Sequence, residues 1–200
     1  MWLFPGVNPL VILVGVSFPD LLWPFLVFSG AEKVSIDPAS PLQGNIQFLS
    51  LRYSHSLVLG TAIASVVGLV LGLVVNPLTG LAFVLASASH WVLDIPMHLH
   101  DLPVLGLNGD RKLGLGLWRR PRLAFAVEFL FYVILAVLFV PPAVLPVVLV
   151  LGAVFHLLNA NSFLGFTKRN PTPTAAAYAA LALVGFSAFI VAYAVLVTGL

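Results

Sequence analysis

Apolar residues run almost unbroken over about residues 8–28, 56–75, 78–95, 123–140, 143–160 and 174–198, separated by shorter polar stretches. Each run is close to the ~20 residues that a helix needs to cross the hydrocarbon core of a bilayer. The pattern therefore predicts an all-α fold, an integral membrane bundle of about six transmembrane helices in a single domain covering residues 1–200. Asn76-Pro77 parts the second run from the third and Pro141-Pro142 the fourth from the fifth, both turn-forming pairs. In the second run Gly60, Ala64, Gly68 and Gly72 recur every four positions. They form one helix face that lets a neighbouring backbone approach closely, the usual basis of helix packing in lipid.

Composition agrees with this pattern. Of 200 residues 60% are hydrophobic and 8% charged, against roughly 25% charged in an ordinary soluble domain. The formal charge of +2 comes from nine scattered basic residues; they make no basic stripe, so no nucleic-acid partner is expected. Their placement reports topology instead. All nine lie in the loops 29–55, 96–122 and 161–173, as Lys33, Arg52, Arg111, Lys112, Arg119, Arg120, Arg122, Lys168 and Arg169. Six spans put these three loops on one side, which the excess of Lys and Arg marks as cytoplasmic. The expectation is a multi-pass protein of the cell membrane with both termini extracytoplasmic. Met1–Gly6 lacks the basic start of a cleaved signal peptide, so the first span is expected to remain. Cysteine is absent, which excludes disulfides, thiolate ligands and a Cys nucleophile.

Ionisable groups in hydrocarbon are costly and usually face a protein interior or a watery cavity. With this topology Asp20, His90 and Asp94, Glu128 and His156 fall at one depth near the cytoplasmic ends of their spans, with His55 at the mouth of the second span and His98, His100 and Asp101 just beyond. His90 and Asp94, four residues apart, share one helix face. Imidazole and carboxylate are usual ligands of catalytic Zn²⁺, which takes three protein ligands and keeps one position open. His90 and Asp94 supply two ligands of such a set, with His55 or Asp20 as the third. Pro24 and Pro96 cannot donate to the carbonyls of Asp20 and Val92, loosening the backbone beside the site. Structural roles compete: His98 and His100 suit an interface, His156 a packing contact, His55 a helix cap, and Asp94 an ion pair with Arg119 or Arg120.

Pro19-Asp20, then Tyr53-Ser54-His55-Ser56-Leu57 opening the second span, then Ser89-His90-Trp91-Val92-Leu93-Asp94 closing the third, resemble the small multi-pass proteins described as membrane-bound metal-dependent hydrolases. His98-Leu99-His100-Asp101-Leu102-Pro103, followed by Gly114-Leu115-Gly116-Leu117-Trp118 and a span containing Glu128, resembles a bacterial subgroup of uncharacterised membrane proteins. The resemblance covers roughly residues 15–130. It implies a metal site lined by histidine and aspartate at the membrane face, and a hydrolytic activity. Many members have a second acidic residue after the first aspartate, where this chain has Leu21-Leu22-Trp23-Pro24.

The leading expectation is thus a hydrolase dependent on a divalent metal, Zn²⁺ foremost, acting at the cytoplasmic face on an amphiphilic or lipid-like ester or phosphoester. Glu128 or Asp101 would move the proton, and Arg119, Arg120 and Arg122 would bind a phosphate group. A second expectation is a proton- or cation-coupled transporter using the same groups as a relay. A third is a non-catalytic scaffold whose basic loops attract anionic phospholipid of the bilayer.

Overall fold

The computed structural model describes residues 4–199. All six apolar runs are helical: α1 (Pro9–Phe28), α2 (Leu57–Val74), α3 (Pro77–Asp94), α4 (Pro121–Phe139), α5 (Leu145–Leu158) and, after the one-turn α6 (Asn161–Leu164), α7 (Ala175–Tyr193), which ends in a π turn over Ala194–Thr198. Polar side chains at the starts set the boundaries. Asn8, Ser56, Asn76 and Thr174 accept from the first-turn amides of Leu10, Gly60, Thr79 and Ala177, and proline opens α1, α3 and α4, where its missing N–H costs nothing.

Among the described residues, four helices are long and apolar enough to cross a membrane: Pro9–Phe28, Leu57–Val74, Pro121–Phe139 and Ala175–Thr198. They mark the chain as a membrane protein. The other two predicted spans fall short of that standard for different reasons. Helix α5 has 14 residues, and α3, with 18, carries Ser87, Ser89, His90 and Asp94 in its last two turns. The outward faces of the long helices expose Val66, Leu69, Leu73 and Leu138, as lipid-facing surfaces do.

Helix α3 lies between α1 and α2, and α1 also packs on α7, while α4 rests on α5 and α6. The small-residue face of α2 makes the closest approach: a Cβ added at Gly68 would sit 2.9 Å from the Gly80 carbonyl and collide with Val84. Gly60, Ala64 and Gly68 are buried on that face.

The three basic loops gather at one end of the bundle and are ordered by contact with one another. Loop 29–55 folds as an antiparallel pair, β1 (Lys33–Ser35) with β2 (Gln47–Ser50), and loop 96–122 as β3 (Leu102–Pro103) with β4 (Lys112–Leu113). Asn170 N–H donates to Pro38 O at 2.9 Å and Arg52 Nε to Gly106 O at 2.9 Å, tying the loops together. Trp23, Val34, Ile46, Leu51, Trp91, Leu102 and Ala179 form an apolar core there, joining hairpin residues to helix ends. Beyond α3, the Leu115, Gly116, Leu117 and Trp118 amides donate to the carbonyls of Ile95, His98, Pro96 and Met97. This pairing satisfies backbone groups past the helix end and sets His98 beside the bundle. Gly114 permits it, with φ +139° and its missing Cβ 2.5 Å from His98 O.

Candidate metal centre

Four elements bring five side chains together. Asp20 projects from α1 four residues before Pro24, which leaves its carbonyl without the usual helical donor. His55 precedes α2. Ser56 caps that helix, so the imidazole of His55 does not, and it turns inward at 6% exposure. His90 and Asp94 stand one turn apart on α3, and His98 follows in the paired segment, 4% exposed.

Their donor atoms converge. His55 Nε2 lies 3.3 Å from Asp20 Oδ1 and 3.9 Å from Asp94 Oδ2. His90 Nε2 lies 3.7 Å from Asp20 Oδ2 and 3.1 Å from Asp94 Oδ2, and His98 Nε2 is 3.6 Å from Asp94 Oδ2. One ligand atom each from Asp20, His55 and His90 falls within 4.8 Å of the others, so these three could hold a metal ion. Two magnitudes bear on what the space accepts. Ligands at about 2.0–2.2 Å from a common tetrahedral ion are about 3.3–3.6 Å from one another, and the five contacts here bracket that spacing, from 3.1 to 3.9 Å. N–H···O hydrogen bonds are instead about 2.7–3.2 Å long, and only the His90–Asp94 contact is that short. Even so, buried Asp94 Oδ2 makes no hydrogen bond.

The far sides of two of the rings are anchored. His98 Nδ1 is 2.8 Å from Asp101 Oδ1, and His55 Nδ1 is 2.7 Å from Ser54 Oγ. An ionised carboxylate only accepts, so His98 Nδ1 donates to Asp101, which in the neutral ring puts the lone pair on Nε2. Metal-ligating histidines are held in this way.

Charge points the same way. Of the seven acidic residues, Asp20 and Asp94 belong to the cluster, Asp101 touches it, and Glu32 and Glu128 reach it through Ser54 and Trp118. Among the described residues every contact within 4.0 Å between a carboxylate and a basic side chain is with histidine, none with Lys or Arg. Two carboxylates a few ångströms apart repel by roughly 3–4 kcal/mol at an effective dielectric near 20. A divalent cation, or protons on the imidazoles, would balance Asp20 and Asp94.

The remaining expected residues are placed as follows. Asp101 sits behind His98, away from the convergence. Glu128 accepts from Trp118 Nε1 at 3.2 Å, and that indole packs 4.4 Å from the His98 ring, setting Glu128 at the edge of the cluster on α4. Arg119, Arg120 and Arg122 are exposed where loop 96–122 leads into α4, so the ion pair of Asp94 with Arg119 or Arg120 is not formed. His156 donates to Phe125 O at 2.9 Å and stacks on Phe125 and Phe129, the packing role. It lines a cavity of about 220 Å³ with Tyr132, Phe155 and Phe189, none of them cluster residues. Exposed His100 has φ +77° and turns the chain between His98 and Asp101.

Sequence reasoning missed Glu32 and Ser54 and set His98 at a surface. Glu32 beside Lys33 reads as a solvated pair at a span end, whereas its side chain is buried. The sequence signs for His98 were its place just beyond the layer of ionisable groups and its spacing of four from Asp94 and three from Asp101. No family model, curated protein or solved structure matches the chain.

Proposed function

We propose that this chain is a six-span protein of the cell membrane, with both termini extracytoplasmic, that belongs with the membrane-bound metal-dependent hydrolases. Its divalent metal, Zn²⁺ foremost, is held by Asp20, His55, His90 and Asp94, and His98 joins them. The observation that carries this reading is the buried, unpartnered Asp94 Oδ2 faced by three imidazole nitrogens. With the Nε2 lone pairs turned toward the carboxylates such an arrangement is repulsive, and a cation at the centre makes every contact attractive. Nitrogen and oxygen donors without sulfur suit Zn²⁺ and related divalent ions.

A divalent ion in such a site supplies Lewis acidity and acidifies water enough for hydrolysis at neutral pH. The protein's own groups supply the rest. Glu128, steadied by Trp118 at the cluster edge, takes the proton from the attacking water and returns it to the leaving alcohol. One water is consumed and an acid and an alcohol are released. Asp101 holds the His98 ring in register. Arg119, Arg120 and Arg122, exposed at the same end of the bundle, favour a phosphate-bearing substrate. The depth of the site favours an amphiphilic or lipid-like ester or phosphoester drawn from the bilayer.

The test is hydrolysis of lipid-like esters and phosphoesters by purified protein in lipid. Activity should vanish with chelator, return with Zn²⁺, and fall at least 100-fold in Glu128→Gln, the range for loss of a general base. Chelator-insensitive turnover, or none with any such substrate, would count against the hydrolase reading.

A further inference from the structure

Glu32 is 1% exposed and lies outside the cluster. Its N–H donates to Leu26 O just past the end of α1, which carries the side chain under the loop before α2. There Oε1 accepts from the Tyr53 and Ser54 amides at 2.6 and 3.0 Å, and Oε2 accepts from Ser54 Oγ at 2.6 Å. A buried carboxylate with no basic partner is costly, so three hydrogen bonds to so small a turn need a reason beyond capping. Ser54 has one hydroxyl proton, and Glu32 takes it. The Ser54 oxygen can then only accept from its other neighbour, His55 Nδ1 at 2.7 Å.

We propose that Glu32 and Ser54 are positioning residues that hold His55 as its Nδ1–H tautomer and so keep the Nε2 lone pair aimed at the metal centre. This rests on the metal-centre reading for its purpose, though not for its geometry. The chain Glu32–Ser54–His55 parallels Asp101–His98 on the other side of the cluster. Of the three imidazoles, His55 and His98 each have a carboxylate behind them, through one hydroxyl or directly, as ligating histidines commonly do.

Two substitutions separate this role from plain turn capping. In Ser54→Ala, Glu32 keeps both backbone amides and His55 loses its Nδ1 partner. In Glu32→Gln the side-chain oxygen can still accept from both amides while its NH₂ donates to Ser54 Oγ. The serine proton is then free to point at His55 Nδ1, and the ring is forced to carry its proton on Nε2. ¹⁵N NMR of histidine-labelled, metal-free protein in lipid, recorded at a pH alkaline enough that the rings are neutral and with His55 assigned from the His55→Gln spectrum, reads this directly. The wild type should show Nδ1–H and Glu32→Gln Nε2–H, while Ser54→Ala loses the wild-type preference. Zn²⁺ affinity, measured by chelator competition, should fall about 10–100-fold in both variants, as for other partners behind a ligating histidine, and Ser54→Thr should recover it. An unchanged His55 tautomer in both variants overturns the proposal, as does wild-type Zn²⁺ affinity in both. Should the wild type bind no Zn²⁺, the metal centre fails by itself, and the NMR result still decides how His55 is held.

Discussion

At the scale of single residues, the chemistry of the cluster depends on what stands behind each ring as much as on what faces the centre. His98 is fixed by Asp101 at 2.8 Å and by the Trp118 indole packed on its face. Asp101→Ala should weaken Zn²⁺ binding about 10–100-fold while leaving the helices intact by circular dichroism; unchanged affinity would remove Asp101 and His98 from the centre. Asp20, His55, His90 and Asp94 were legible in the sequence because each is an ionisable group in or beside an apolar run, where only function or pairing sustains it. Glu32 and Ser54 were not. They lie in a loop, where acids and serines are ordinary, and nothing in the order of residues says that this loop folds inward.

At the scale of elements, α2 and α3 bear on the site most directly, because His55 precedes one and His90 and Asp94 end the other. Their separation is set by Gly68 against Gly80. Gly68→Leu should force the backbones apart and lower the melting temperature in lipid well beyond the effect of Leu69→Ile, which faces outward; overpacking of this kind costs about 1–3 kcal/mol or more. Equal tolerance at the two positions would contradict the packing. The helices were readable from apolar runs to within two residues at most ends, since capping residues and prolines stand at the boundaries. The two strand pairs were not: their strands are two to four residues long and pair within a single loop, and the bonds that tie one loop to another join residues far apart in sequence. Helix α3 also shows why apolar length alone gives an incomplete picture: the residues that build the site are those that make it less apolar than its neighbours.

At the scale of the whole molecule, the fold collects polar groups at one end of an otherwise apolar bundle. The basic loops cover that end, yet none of their Lys or Arg side chains reaches the buried carboxylates among the described residues. Positive charge is thus kept outside while Asp20 and Asp94 share three imidazoles inside, and a single divalent ion between α1, α2 and α3 would neutralise the pair. The most direct test is the metal content of protein purified without chelator and exchanged against trace-metal-free buffer, for the wild type, His90→Ala, Asp94→Ala and His156→Ala. The wild type and His156→Ala should each retain about one divalent ion per chain, with His90→Ala and Asp94→Ala largely empty. A metal-free wild type, or full retention in both His90→Ala and Asp94→Ala, would contradict a centre built on α3.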